Sequence, residues 1–128
     1  MTCTQDDILT AEKKAFLVNT VLPQAITYLQ SALKGLRLNQ PLSVGTSPPC
    51  RGRVTSPASH NDPGVASADF LLYVSAGAIA SSSTVAWATT CSLSSSQRPL
   101  VGHANFAPAK LVSTKLVSTS VKVAIHEI

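Results

Sequence analysis

The segment from residue 39 to residue 66 constrains this 128-residue chain more than any other, because Gly45, Pro48, Pro49, Gly52, Pro57, Pro63 and Gly64 punctuate it. Each proline fixes φ and removes a backbone donor, and each glycine loosens the chain, so no long helix or strand survives there. The segment is either an interdomain linker or an irregular excursion held by Cys50, with room for a short strand near residues 53–55. Regular structure must come from the blocks on either side of it.

The block before it is patterned as helix. Residues 4–37 read as an interrupted helix: Leu22, Ile26, Leu29, Leu33 and Leu36 recur at spacings of three and four and define one apolar face. Thr4 with Asp7 has the spacing of a capping box, and Thr10 is an alternative cap for a helix starting at Ala11. Pro23 lacks a donor in mid-helix, so a kink or a new first turn is expected there. Gly35 weakens the end and Pro41 forbids continuation.

The block after it is patterned as strands. Residues 69–76, Asp-Phe-Leu-Leu-Tyr-Val-Ser-Ala, form a short apolar run suited to a buried strand. Residues 84–91 alternate small and larger side chains, with β-branched Thr and Val. Residues 100–106 follow Pro99, which fits an edge strand better than a central one. The serine-rich stretches at 81–83 and 92–96 read as connecting loops.

Residues 108–128 contain a direct repeat, Lys110-Leu-Val-Ser-Thr followed by Lys115-Leu-Val-Ser-Thr. Val112, Leu116, Val117, Val121, Ala124, Ile125 and Ile128 fall on one helical face, although Val, Ser and Thr are mediocre helix formers and periodicity does not exclude a strand. Two copies of a pentapeptide do not make a solenoid.

Composition narrows the class. With 45% apolar and only 12% charged residues the chain suits a packed core, and with 5% aromatics that core is built from small and β-branched side chains. The net charge is +4, but the basic residues are scattered, with only Lys13-Lys14 and Arg51-Gly-Arg53 close together. A nucleic-acid surface needs a basic stripe with aromatic platforms, and neither is present. The longest weakly polar stretch, residues 65–90, is broken by Asp69 and serines and is not a membrane span. Residues 1–7 have no basic flank and no apolar run, so no signal peptide is read there. Cys3, Cys50 and Cys91 are an odd number, which suits either three reduced thiols in a cytosolic domain or an extracellular chain with one unmatched cysteine.

The sharpest chemical feature is His126-Glu127. In zinc hydrolases of the H-E-x-x-H type, two histidines one helical turn apart hold the metal and the intervening glutamate handles the proton of the attacking water. Neutral imidazole is a good zinc ligand, and a carboxylate can take and return a proton. Taken alone, the dipeptide is more often an exposed helix end. His60 in the proline-rich loop and His103 in the third strand read as structural histidines. No serine lies in a G-x-S-x-G elbow, and no glycine-rich phosphate loop is present.

Taken in order, however, a series of blocks is recognisable: Cys3-Thr4, Asp7-Ile8-Leu9-Thr10, Leu22-Pro23-Gln24-Ala25, Asp69 to Val74, Trp87-Ala88-Thr89-Thr90-Cys91, Pro99-Leu100-Val101-Gly102 and finally His126-Glu127. This series resembles the leishmanolysin family of surface zinc metalloproteases from about residue 3 to the last residue, and the block from Ala86 to Cys91 is its most specific part.

The resemblance implies an α/β (α+β) fold: the amino-terminal subdomain of a metzincin, with a twisted, mostly parallel sheet, backing helices and a terminal zinc-motif helix. It implies His126 as first zinc ligand and Glu127 as general base of a metalloendopeptidase. By position, Leu100, Val101, Gly102, His103 and Ala104 are expected to be the substrate-side edge strand, pairing with extended polypeptide substrates. Cys50 and Cys91 match a pair that the family joins, and Cys3 matches one whose partner lies upstream. Location at a cell-surface membrane or outside the cell also follows by resemblance.

Several parts of the family pattern are not in this sequence: the second and third histidines, the Met-turn, the carboxy-terminal subdomain, the signal and the propeptide. Ile128 stands where the family usually has Met. A catalytic zinc site needs about three protein ligands. The 128-residue chain is therefore expected to be a partial catalytic domain that does not bind zinc tightly and has no protease activity by itself. A non-catalytic adhesion or peptide-binding remnant of the same fold is the alternative.

Overall fold

The computed structural model describes residues 3–35, 37–81, 83–111 and 117–128. Leu36, Val112 and Leu116, expected on apolar helix faces, lie outside the described residues, as does most of the pentapeptide repeat.

Both caps read from the sequence are formed. Around the short turn Gln5–Asp7, the Thr4 N–H donates to Asp7 Oδ2 at 2.8 Å and the Thr4 hydroxyl donates to the same oxygen at 2.9 Å. These bonds, the backbone one first, hold the Asp7 carboxyl below the usual carboxylate range. Thr10 then caps α1, Ala11–Phe16, by accepting the Lys13 N–H at 3.3 Å.

Helix α1 does not stop at Pro23. It passes through a π-helical turn, Leu17–Val21, into α2, Leu22–Ala32, with Pro23 in the first turn of α2. A proline cannot donate to the carbonyl four residues back, and its ring crowds that carbonyl. The ladder accommodates this by widening, so that the Leu22 N–H reaches the Leu17 carbonyl. The helix ends at Ala32, five residues short of the expected limit, because Leu33 is extended (φ −86°, ψ 127°).

The buried side of this helix is Leu17, Val21 and Ala25. The expected stripe lies one position round: Ile26 and Leu33 are 42% and 67% exposed. Helix α3, Val117–Glu127, packs on α2, and Ala25 and Ala124 are both fully buried. A small side chain on each helix permits close approach.

The chain divides into two compact units. The first comprises residues 1–34, 74–87 and 104–128, and its core is Leu17, Val21, Ala25, Ala86, Ala104, Phe106, Ala107, Leu111 and Ala124. Phe106, Val21 and Pro108 are its largest fully buried side chains, and burying Phe106 or Val21 is worth about 1.5–3 kcal/mol each. The alanines around them match the small-residue core inferred from composition. Asn105, buried in the same unit, accepts from the Ser75 hydroxyl at 2.8 Å and donates to the Gly77 carbonyl at 3.0 Å.

The second unit comprises residues 35–73 and 88–103. The proline-rich segment belongs to it as an irregular excursion that folds back on itself. Leu42 and Val65 pair antiparallel through two 2.9 Å bonds, Val44 N–H donates to the His60 carbonyl at 3.0 Å, and Ser43 donates to the Asn61 carbonyl at 2.9 Å. No strand forms at 53–55, because Cys50, Arg51 and Gly52 all have positive φ and turn the chain into a short 3-10 helix, Cys50–Gly52.

Three strands, β1 Leu71–Ala76, β2 Ala86–Leu93 and β3 Pro99–Phe106, form a mixed sheet in the order β1-β3-β2, and each strand contributes residues to both units. β2 and β3 are joined by a tight turn, in which Ser94 N–H donates to the Arg98 carbonyl at 2.8 Å and Gln97 takes the left-handed conformation at φ 63°.

This order corrects one expectation. Leu100 to Ala104 lie in the central strand of the described sheet, with neighbours on both sides. Pro99 pointed to an edge, but a proline at the first position of a strand removes no interior ladder bond and so does not decide the question. Residues 101–106 are buried without interruption, as in a strand covered on both faces.

Candidate functional site

His126 and Glu127 close helix α3, and the Ile128 N–H continues the helical pattern to the Ala124 carbonyl at 3.0 Å. At about 100° per residue, His126 stands roughly 200° round the helix from Ala124 and Glu127 about 60° from it. The burial agrees: Ala124 is fully buried, His126 exposed and Glu127 half-buried. The imidazole thus faces solvent, while the carboxylate beside it is partly sheltered.

A single imidazole does not make a metal site. Among the described residues no group of three or more His, Cys, Asp or Glu side chains is placed to hold an ion. A catalytic zinc takes about three protein ligands with one position left open, so the donor set present here does not fit zinc by itself.

The other two histidines have structural surroundings within the second unit. His60 Nδ1 lies 2.8 Å from the Tyr73 hydroxyl, with the two rings tilted at 38°. Burial pushes the Tyr73 phenol up, opposed by its hydrogen bond with Ser56. His103 is 4% exposed on β3; burial and then the nearby Arg53 guanidinium hold its imidazole below the usual value. Both features disfavour the charged imidazole, which suits a packed strand.

Of the expected peptide-binding strand, Val101, Gly102, His103 and Ala104 are buried and Leu100 is half-buried. A Cβ on Gly102 would sit 2.8 Å from Phe70 Cζ and 3.5 Å from Leu72 Cδ1, so this glycine is required chiefly by the Phe70 ring, just before β1. The described strand edges belong to β1 and β2. On β2, Thr89, Thr90, Ser92 and Leu93 are exposed. Sequence reasoning passed over β2 as an edge; its Thr- and Ser-rich second half, set against Val101, Gly102, Ala104 and Phe106 in β3, was the available signal.

Cys50 and Cys91 form a disulfide with Cα atoms 4.5 Å apart, and Cys3 is an exposed free thiol. The bridge joins the proline-rich excursion to β2 inside the second unit.

A sequence model of the leishmanolysin family matches residues 1–128. A leishmanolysin homolog from Crithidia fasciculata is 34% identical over 128 residues, covering 100% of this chain and 19% of the relative. Leishmanolysin from Leishmania amazonensis is 36% identical over 129 residues, covering 99% of this chain and 21% of the relative. That from Leishmania donovani is 33% identical over 126 residues, with 98% and 21% covered. The chain spans about a fifth of the length of these relatives.

Proposed function

Because this chain belongs to the leishmanolysin family of zinc metalloproteases, we propose that it carries the first part of the catalytic motif of a zinc-dependent endopeptidase. The observation that supports this is the placement of His126-Glu127: an exposed imidazole and a half-buried carboxylate, adjacent on the last turn of a regular helix. His126 is the first metal ligand in this reading. Glu127 is the general base, taking a proton from the water that attacks the substrate carbonyl and returning it to the leaving amine. Zinc, when bound, supplies a Lewis acid at that point.

The remaining ligands and the carboxy-terminal subdomain belong, on this reading, to parts of the protein outside these 128 residues. The isolated chain then binds zinc weakly and cleaves nothing, since affinity comes from several ligands fixed together. Polypeptides are the substrates. The Cys50–Cys91 bridge suits an oxidising compartment, which favours a location at the cell surface or outside the cell. Among the described residues no helix is long and apolar enough to cross a membrane.

A second reading, a non-catalytic peptide-binding or adhesion protein of the same fold, is favoured by the exposed second half of β2, where an extended chain could add to the sheet. The test is cleavage of an unfolded protein substrate by the whole protein, with and without a chelator. The zinc-protease reading expects chelator-sensitive cleavage that His126→Ala abolishes. Cleavage that survives His126→Ala would refute the ligand assignment, and binding without cleavage by the whole protein would favour the second reading.

A further inference from the structure

The excursion that carries Cys50 also carries the chain's one close pair of arginines. Arg51, Gly52 and Arg53 are all exposed. Cys50, Arg51 and Gly52 are left-handed in succession, at φ 57°, 58° and 79°. Only glycine adopts that conformation freely, so Cys50 and Arg51 gain from leaving it. Two local bonds brace the turn, Gly52 N–H to the Pro49 carbonyl at 3.1 Å and Arg53 N–H to the Cys50 carbonyl at 3.3 Å. Endopeptidases bind their substrates extended; Pro49 and Cys50 are buried and Cys50 is anchored by its bridge, so the part of the turn offered to such an enzyme is the exposed run from Arg51 to Arg53, and exposed turns are where nicking concentrates.

The other two arginines are less suited. The amide after Arg37 is tied to a distant part of the chain, because the Leu38 N–H donates to Asp69 Oδ1 at 2.6 Å, whereas the Gly52 N–H is held only by the longer local bond to Pro49, three residues back. Arg98 is half-buried and is followed by Pro99, whose tertiary amide is a poor bond for this class of enzyme. Among the four arginines of the sequence, the selective choice falls on Arg51 and Arg53.

We propose that Arg51-Gly52-Arg53 is a processing site for an arginine-specific endopeptidase, and that the nicked product remains one molecule because the Cys50–Cys91 bridge spans the cut. The step is hydrolysis. The C–N bond between Arg51 and Gly52 breaks, the water oxygen adds to the Arg51 carbonyl carbon, and the Gly52 nitrogen leaves with the proton. No electrons are exchanged, and the same balance holds for the bond after Arg53. Cys50 stays with the amino-terminal piece and Cys91 with the other. Leu42–Val65, Val44–His60 and Ser43–Asn61 also join the two pieces, so the excursion keeps its shape after the cut.

The test treats the oxidised 128-residue chain with a limiting amount of an arginine-specific endopeptidase and reads the intact mass before and after reduction. The expected result is a single species heavier by one water before reduction. Reduction then resolves it into pieces that divide after residue 51 or residue 53. The variant R51Q/R53Q stays uncut over the time in which the parent is fully converted. Alkylation without reduction, which should modify Cys3 and neither Cys50 nor Cys91, certifies that this variant is folded and bridged. A first cut after Arg37 or Arg98, pieces that separate before reduction, or a bridged R51Q/R53Q variant cut as fast as the parent each overturns the proposal.

Discussion

Replacing both Cys50 and Cys91 by alanine should cost the fold several kcal/mol, and the size follows from where they lie. The two residues are separated by 41 positions, so the bridge closes a long loop in the unfolded chain. The loop-entropy relation for such a loop gives about 4 kcal/mol at 25 °C. With an unfolding entropy of roughly 2.1 cal/mol/K per residue over the whole chain, that corresponds to a fall in Tm of about 15 °C. The effect is assigned to the unfolded state, and this gives the assay a second signature. Urea unfolding of C50A/C91A should show a lower midpoint and also a steeper slope, because the unbridged chain exposes more surface when it unfolds. The double variant is the right perturbation, since either single substitution leaves a lone thiol, buried at position 50 in C91A and half-buried at position 91 in C50A. A loss below about 1 kcal/mol with an unchanged slope would refute the loop argument. It would mean that native-state strain at the left-handed Cys50 offsets most of what the bridge contributes.

Two further outcomes are expected. Val21→Ala removes two methyl groups from a fully buried position and should lower stability by about 2 kcal/mol, whereas Ile26→Ala, at a position 42% exposed, should cost well under half of that; equal losses in urea unfolding would show that the buried face has been misplaced. His103 should titrate below the ordinary imidazole value near 6.5, as read by NMR of its ring protons. The sign of its effect on stability follows: as pH falls through about 6.5 the unfolded chain takes up a proton that the folded chain refuses, so stability present above that pH is lost progressively down to the folded value. His103→Asn should flatten that part of the pH profile, and an unchanged profile would remove the assigned cause.

What was legible in the sequence was local. Thr4 finds Asp7 three residues on, and Thr10 finds the Lys13 amide at the same spacing, so both caps follow from chain geometry alone. The three strands sit within two or three residues of their expected limits because an apolar run bounded by loops needs no distant partner to be noticed. The buried side of α2 was harder. Counting from Leu22 at regular helical spacing selects Ile26 and Leu33, but the π turn at Leu17–Val21 changes the phase before that count begins. The packing partner also selects small residues, and an alanine such as Ala25 carries little weight in a search for apolar stripes. His126-Glu127 was legible as chemistry through its motif, whereas the sidedness that makes the imidazole accessible needed the position of Ala124.

The order of the sheet shows why one local signal misled. β2 and β3 are joined by a tight turn and must be neighbours, so β1 can add beside either of them. If β1 adds beside β2, β3 is an edge and Pro99 lies on it. If β1 adds beside β3, Pro99 is only the first residue of a central strand. Pro99 is compatible with both, because its missing donor matters in the interior of a ladder and little at its start. The side chains are not compatible with both. A central strand is covered on two faces, and Val101, Gly102, Ala104 and Phe106 supply both with small or apolar groups, while Gly102 leaves room for Phe70 and Leu72. The second half of β2, with Thr89, Thr90 and Ser92 in solvent, meets the demands of an edge. The composition of a whole strand therefore outweighs one proline at its start, and among the described residues the outer strands of the sheet are β1 and β2 rather than the strand that holds residues 100–104.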